Sequence, residues 1–158
     1  MSIEKVRAYL QKMNCPKEIL VFETSSATVD LAAQAAGVIP ARISKTLCLM
    51  SKDGPIVIAV AGDAKIDNRK FKDNFGLKAK MLSPEETLEA TGHAVGGVCP
   101  FALPEGTKAY ADISMKRFET VFPAAGSSNS AIEFTCDELF HFGKCVDWVD
   151  ICKGWEEE

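Results

Sequence analysis

The chain has 158 residues, 47% of them hydrophobic and 25% charged, with a formal net charge of -4; these are the proportions of an ordinary soluble domain, and one domain over residues 1–158 has room for a real core. The acidic balance excludes a protein that coats DNA or other nucleic acid by bulk electrostatics, and no apolar run approaches the ~20 residues of a membrane span. The opening MSIEKVRAYLQKMN mixes charges among its apolar residues, which is not the pattern of an export signal, so a cytoplasmic protein with no membrane partner is expected.

Ile3, Val6, Leu10 and Met13 recur at helical spacing behind Ser2, a candidate N-cap. ILVFET reads as a strand. TVDLAAQAAG reads as a short helix, capped by Ser26 or Thr28 and ended by Gly37. KTLCLMS and PIVIAVAG read as a hairpin about Asp53-Gly54. IDNRKFKDNFG is a helix closed by Gly76, and LKAKML a further strand. In SPEETLEATG, Ser83 caps, Pro84 takes the first position, and Glu85 and Glu86 sit at the positive end of the dipole. TKAYADIS and ETVFPAAGSSNSAIEFT suggest more strands, the latter two strands joined by a polar loop, and CDELFHFG a short helix or turn. The elements mix without a strict βαβ rhythm, and no G-x-G-x-x-G or P-loop opens a helix. The expected class is α+β, a mixed, barrel-like sheet surrounded by helices.

The chemistry is defined first by what is missing. Only His93 and His141 are present, with no GxSxG, HExxH or paired-cysteine ligand set, so neither a serine-triad hydrolase nor a metal site is indicated. His93 reads better as a histidine satisfied by local backbone than as a catalyst. The six cysteines, at 15, 48, 99, 136, 145 and 152, read as thiols rather than disulfides, and Cys99 as inert for want of a base. Residues 63–80 carry six Lys or Arg against three Asp, while the end of the chain is acidic through Glu156, Glu157 and Glu158. That basic stretch is either a solvated face or a contact for a few phosphates.

Lys45 enters an apolar strand, where an ammonium must reach solvent or meet an anion. A cation at a pocket wall suits a phosphate, a carboxylate or a developing oxyanion. In GHAVGGVCPFALP, Gly96 and Gly97 permit positive φ, so their N–H groups are free to converge as in an anion nest, and Pro100 stiffens the exit. GSSNS adds small polar groups on a tight turn.

Together these features resemble the YbaK and prolyl-tRNA-synthetase-associated editing domains, which are aminoacyl-tRNA deacylases. The likeness rests on TVDLAAQAAG followed by ISKTL, with Lys45 at the key lysine. It extends through VAGDAKIDNRKF, which contains Gly62, to GGVCP, where Gly96 and Pro100 match a GxxxP loop; it covers residues 21–139. The resemblance implies a barrel-like sheet, no metal or organic cofactor, and a free-standing hydrolase of the ester in mischarged aminoacyl-tRNA. Its partners would be the tRNA acceptor end and an aminoacyl-tRNA synthetase. It places Lys45 at the oxyanion or at the phosphate or ribose end of the substrate, and residues 96–100, Val98 included, at the carbonyl. The nucleophile is left open among water, a ribose hydroxyl and a substrate thiol. Phe22, Thr28 and Val29 are the side-chain pocket candidates, with Ser128 and Asn129 as further substrate contacts. Thr28 and Val29 stand where the cysteine-editing branch has an aromatic, and Ser127-Ser128-Asn129 replaces its Lys-Arg-Gly turn. Alanine, serine and threonine are therefore candidate substrates beside cysteine. The competing expectation is a non-catalytic module that holds a tRNA end, a nucleotide or a synthetase.

Overall fold

The expected hairpin is the centre of the molecule. The structure is a computed structural model that describes residues 2–155; the acidic end at Glu156, Glu157 and Glu158 lies outside the described residues. The first half of the chain forms α1 (Ser2–Lys12), β1 (Leu20–Val21), α2 (Val29–Ala36), β2 (Ile43–Ser51), β3 (Gly54–Ala61), β4 (Lys65–Ile66), α3 (Asn68–Phe75) and α4 (Pro84–Thr91). Then come β5 (Lys108–Asp112), β6 (Thr120–Pro123), β7 (Ser130–Ala131), β8 (Phe134–Thr135), α5 (Cys136–Phe142), β9 (Trp148–Val149) and β10 (Cys152–Lys153). Single 3-10 turns occupy Pro40–Arg42 and Ile113–Arg117.

Six strands form one curled, barrel-like sheet in the order β8-β6-β2-β3-β5-β9, and β1–β7 and β4–β10 make two small ribbons. The pairing is mixed: β2–β3 and β6–β8 are antiparallel, while β2–β6, β3–β5 and β5–β9 are parallel. This is the α+β class expected. Among the described residues no helix is long and apolar enough to cross a membrane.

β3 explains the sheet's central position. Residues 56–61 are buried without interruption, the pattern of a strand covered on both faces. The same core cluster holds Val6 and Leu10 of α1, Phe71 of α3 and Leu139 and Phe142 of α5. Phe101 meets Phe134 edge to face and Phe134 stacks on Phe142, with ring centroids 5.6 and 5.3 Å apart; each such ring contributes roughly 2–3 kcal/mol of burial. A smaller cluster of Ala32, Ala33, Ile43, Phe122 and Ala131 joins α2 to the edge of β2. Asp112 is fully buried, and its carboxylate accepts from Ser114 N at 2.9 Å and Ile151 N at 2.8 Å. Those donors offset its desolvation and pin the 113–117 turn, whose Ser114 hydroxyl accepts from Ala61 N at 3.0 Å.

Local capping follows the expected chemistry. Thr28, not Ser26, caps α2, accepting from Leu31 N, and Gly37 closes it at φ 73°. Ser83 and Glu86 form a reciprocal capping box on α4. Four expectations change. Ser2 is the first residue of α1, and its hydroxyl bonds His93 Nδ1 instead of capping. The hairpin loop is Lys52-Asp53, one residue earlier than expected, because Ser51 pairs with Gly54, which takes φ 114°. ILVFET contributes only the two residues of β1. LKAKML makes a single bridge, Met81 to Leu49, on the edge of β2 opposite β3.

Candidate active site

The free edge of β2 is the starting point. Ile43 and Ser44 pair with Phe122 and Pro123 of β6. Farther along the same edge, Met50 N donates to Lys80 O at 3.1 Å and Leu82 N to Cys48 O at 3.0 Å. Among the described residues, no strand pairs with residues 45–47 on that edge. The gap opens into a cavity of about 340 Å³, at the lower end of small-molecule sites. Lys45 and Thr46 line it from β2, Thr28, Val29 and Ala32 from α2 and its cap, and Gly96 and Val98 from the glycine loop. Ile43, Phe122 and Ala131 supply an apolar wall, and Met81 and Val95, 52% and 65% exposed, form a rim.

Lys45 is the one charged residue among the described lining residues. Its Nζ donates to the Gly62 carbonyl at 3.3 Å, and no carboxylate among the described residues lies within ion-pair distance. Asp63, the nearby acid, is held by both guanidinium nitrogens of Arg117 at 2.6 and 3.0 Å. Burial pushes the Lys45 ammonium below the usual lysine range, against the opposing fields of Cys152 and Asp63. Gly62 makes the arrangement possible: a Cβ there would lie 2.1 Å from the Pro40 carbonyl oxygen and 2.9 Å from Val29 Cγ1.

Three loops meet across the cavity from Lys45's strand. Ser26 N donates to Ser128 O at 2.6 Å. Residues 94–97 form a turn closed by Gly97 N to Ala94 O at 3.0 Å, with Gly96 at φ 101°, the pattern of a type II turn. The expected nest of two glycines is therefore corrected. Gly97 spends its N–H inside the turn and does not line the cavity; it is glycine because a Cβ would stand 2.7 Å from Ser127 N. The Gly96 and Val98 N–H groups have no acceptor among the described residues, and both residues line the cavity.

Of the other anticipated residues, Pro100 is buried and lies against Gly143 of the α5 cap. It braces the loop without reaching the cavity. Phe22 packs on the Ala32–Phe122 cluster that makes the wall, not on the cavity itself. Asn129 brackets the Phe22 backbone, its carbonyl accepting at 2.7 Å and its Nδ2 donating at 3.1 Å. Ser128 acts through its carbonyl, and neighbouring Ser130 reaches the cavity instead. In the basic stretch, Lys70 is tied to Asp150 at 3.1 Å. Two groups escaped the sequence reading: the hydroxyls of Ser26 and Thr46, both buried and both without a hydrogen-bond partner. Each such group costs about 1–3 kcal/mol unless something fills it.

No general base or activated nucleophile lines the cavity among the described residues. Cys48 lines it, but burial raises its thiol to about 11. Cys99 is fully buried at about 12, and His93 is buried, with Nε2 on Phe101 O at 2.8 Å and a lowered pKa. Neutral His93 is thus a brace between α1 and the loop. Cys99→Ser should keep any catalytic rate within about threefold while lowering stability by roughly 1 kcal/mol; complete loss of rate at intact fold would restore Cys99 as a nucleophile. Among the described residues no group of three or more His, Cys, Asp or Glu is placed to hold a metal.

The chain's relatives bear on this geometry. An aminoacyl-tRNA editing domain family model matches residues 23–142. The uncharacterized protein YwhH of Bacillus subtilis is 52% identical over 157 residues, 99% of this chain and all of that one. The "Putative Cys-tRNA(Pro)/Cys-tRNA(Cys) deacylase EbsC" of Enterococcus faecalis is 26% identical over 71% of this chain and 70% of its own length. The crystal structure of "a putative trans-editing enzyme for prolyl tRNA synthetase" superposes with a TM-score of 0.87 at 27% identity, covering 97% of this chain and 98% of that one.

Proposed function

The chain belongs to the aminoacyl-tRNA editing domain family, and from that premise we propose that it hydrolyses the ester of mischarged aminoacyl-tRNA, acting in trans on tRNA released by a synthetase. One observation carries the reading: the cavity offers a half-buried cation and two unspent backbone N–H groups, with no general base or activated nucleophile among its described residues. That inventory suits an acyl transfer in which water or the substrate supplies the attacking atom and the protein supplies electrostatics and placement.

In this reading Gly96 and Val98 N–H meet the scissile carbonyl as it gains charge. Lys45 approaches from β2, toward the ribose side, and stabilises the same developing charge or the terminal phosphate. The terminal adenosine lies over the apolar rim of Met81 and Val95. The side chain of the amino acid enters against Thr28, Val29, Ala32 and Phe122, where about 340 Å³ must hold both acyl group and sugar. This favours alanine, serine, threonine or cysteine, and one methylene is worth only ~1–3 kcal/mol of discrimination. The place of work is the cytoplasm, where translation runs.

The test is a deacylation panel of purified protein with tRNA carrying alanine, cysteine, serine, threonine or proline, followed against a no-protein blank. Selective loss of one mischarged ester is the expected result. No ester turning over faster than the blank would overturn the hydrolase reading and leave a binding module.

A further inference from the structure

We infer that the Ser26 hydroxyl is the receptor for the substrate's α-amino group, an inference that rests on the deacylase reading above. In the stretch Ser25-Ser26-Ala27-Thr28 the other hydroxyls are spent locally. Ser25 Oγ bonds Ser128 O at 3.4 Å and accepts from Ala27 N at 3.2 Å, and Thr28 Oγ1 accepts from Leu31 N at 3.2 Å. Such local bonding is the usual fate of serine and threonine in a capping loop. Ser26 departs from it: 7% exposed and lining the cavity, its Oγ has no partner. A hydroxyl so placed is satisfied when a ligand arrives.

Position selects which ligand group this is. The Ser26 backbone is clamped to Ser128 O at 2.6 Å, and a Cβ on Gly96 would stand 3.4 Å from Ala27 Cβ. Ser26 therefore sits beside the turn that meets the carbonyl, on the loop side of the cavity, whereas Lys45 comes from the sheet. Besides its carbonyl oxygen the acyl carbon has two neighbours: the ester oxygen, leading to the ribose and Lys45, and the α-carbon, which points the other way and carries the amine. Charge agrees with this assignment. Among the described residues no carboxylate lines the cavity, so the amine must be met by neutral acceptors, and a hydroxyl both accepts from and donates to a neutral amine. Thr46, the other hydroxyl without a partner among the described residues, is carried by β2 and not by the loop that holds Ser26.

The experiment compares kcat/KM of wild type, Ser26→Ala and Ser26→Thr on three substrates: alanyl-tRNA, propionyl-tRNA, which lacks only the amine, and alanyl-tRNA with a 2′-deoxy terminal ribose. Wild type is expected to prefer alanyl over propionyl by about 10- to 100-fold. Ser26→Ala should lose that much on the alanyl ester and nothing on the propionyl ester, so that the preference collapses. Ser26→Thr should restore part of it. Because the change removes an unpartnered hydroxyl, the melting temperature of Ser26→Ala should be unchanged or higher. An equal loss on all three substrates, an unaltered amine preference, or a collapse confined to the 2′-deoxy comparison would each overturn the assignment. If wild type turns over no ester of the five-amino-acid panel above the blank, the deacylase reading fails and this inference fails with it.

Discussion

Lys45→Ala is expected to lower kcat of the deacylation by a hundredfold or more while leaving the protein folded. A preorganised donor aimed at developing charge is worth about 10²–10³ in rate, because it needs no reorganisation as the charge forms. The same burial makes the lysine costly to hold. Its ammonium is depressed below the ordinary lysine range by desolvation, and among the described residues its one bond is to the Gly62 carbonyl at 3.3 Å. Removing it relieves that cost, so the melting temperature should move by no more than a few degrees. The depressed pKa gives a second signature. The cation is fully present below its folded pKa and is lost as pH rises through it, sooner than for a free lysine at about 10.4. After subtraction of the blank, the ratio of wild-type to Lys45→Met rates should shrink toward alkaline pH. Unchanged rates in Lys45→Ala, or an unfolded variant, would count against the role.

Gly62→Ala is expected to have the largest effect on stability, about 3 kcal/mol, and to reduce turnover with it. The added Cβ would sit 2.1 Å from the Pro40 carbonyl oxygen and 3.1 Å from that of Ile43. Neither neighbour is a flexible side chain that can step aside, so the Pro40–Arg42 turn or the end of β3 must move. Either shift displaces the carbonyl that holds Lys45. Gly92→Ala is the control: Gly92 has open space around its missing Cβ but φ 77°, so only backbone strain of about 1 kcal/mol applies. Urea midpoints compare the two directly, and a Gly62→Ala loss below that of Gly92→Ala would refute the packing argument.

The helix boundaries were legible because caps are local. Thr28 and Ser83 each bond backbone within three residues, and Gly37 and Gly76 each take positive φ at a helix end. The hairpin was legible for the same reason. LKAKML reads as a strand from its alternation, yet only Met81 bridges to β2, because a local pattern does not encode how far a stretch runs alongside its partner. Lys45 and the Gly96 turn were legible as anomalies, a cation in an apolar strand and a glycine pair in an apolar loop.

Other parts of the site depend on contacts far apart in the chain. Phe122 reaches the cavity wall only because β6 pairs in parallel with β2, Ile43 against Phe122. Ser26 looked like a spare cap, and only the convergence of residues 25–28, 94–97 and 126–129 buries its hydroxyl without a partner. Gly97 looked like half of a nest until Ser127 was found against it. By itself, then, the sequence determined most helices and their caps, the central hairpin and the identity of the cation, since these rest on residues within a few positions of one another. The tertiary structure decided which stretch of β2 stays unpaired, and therefore where the cavity opens and which hydroxyls face it. Strand pairing across nearly eighty residues is set by the packing of the whole core, and no local pattern encodes it.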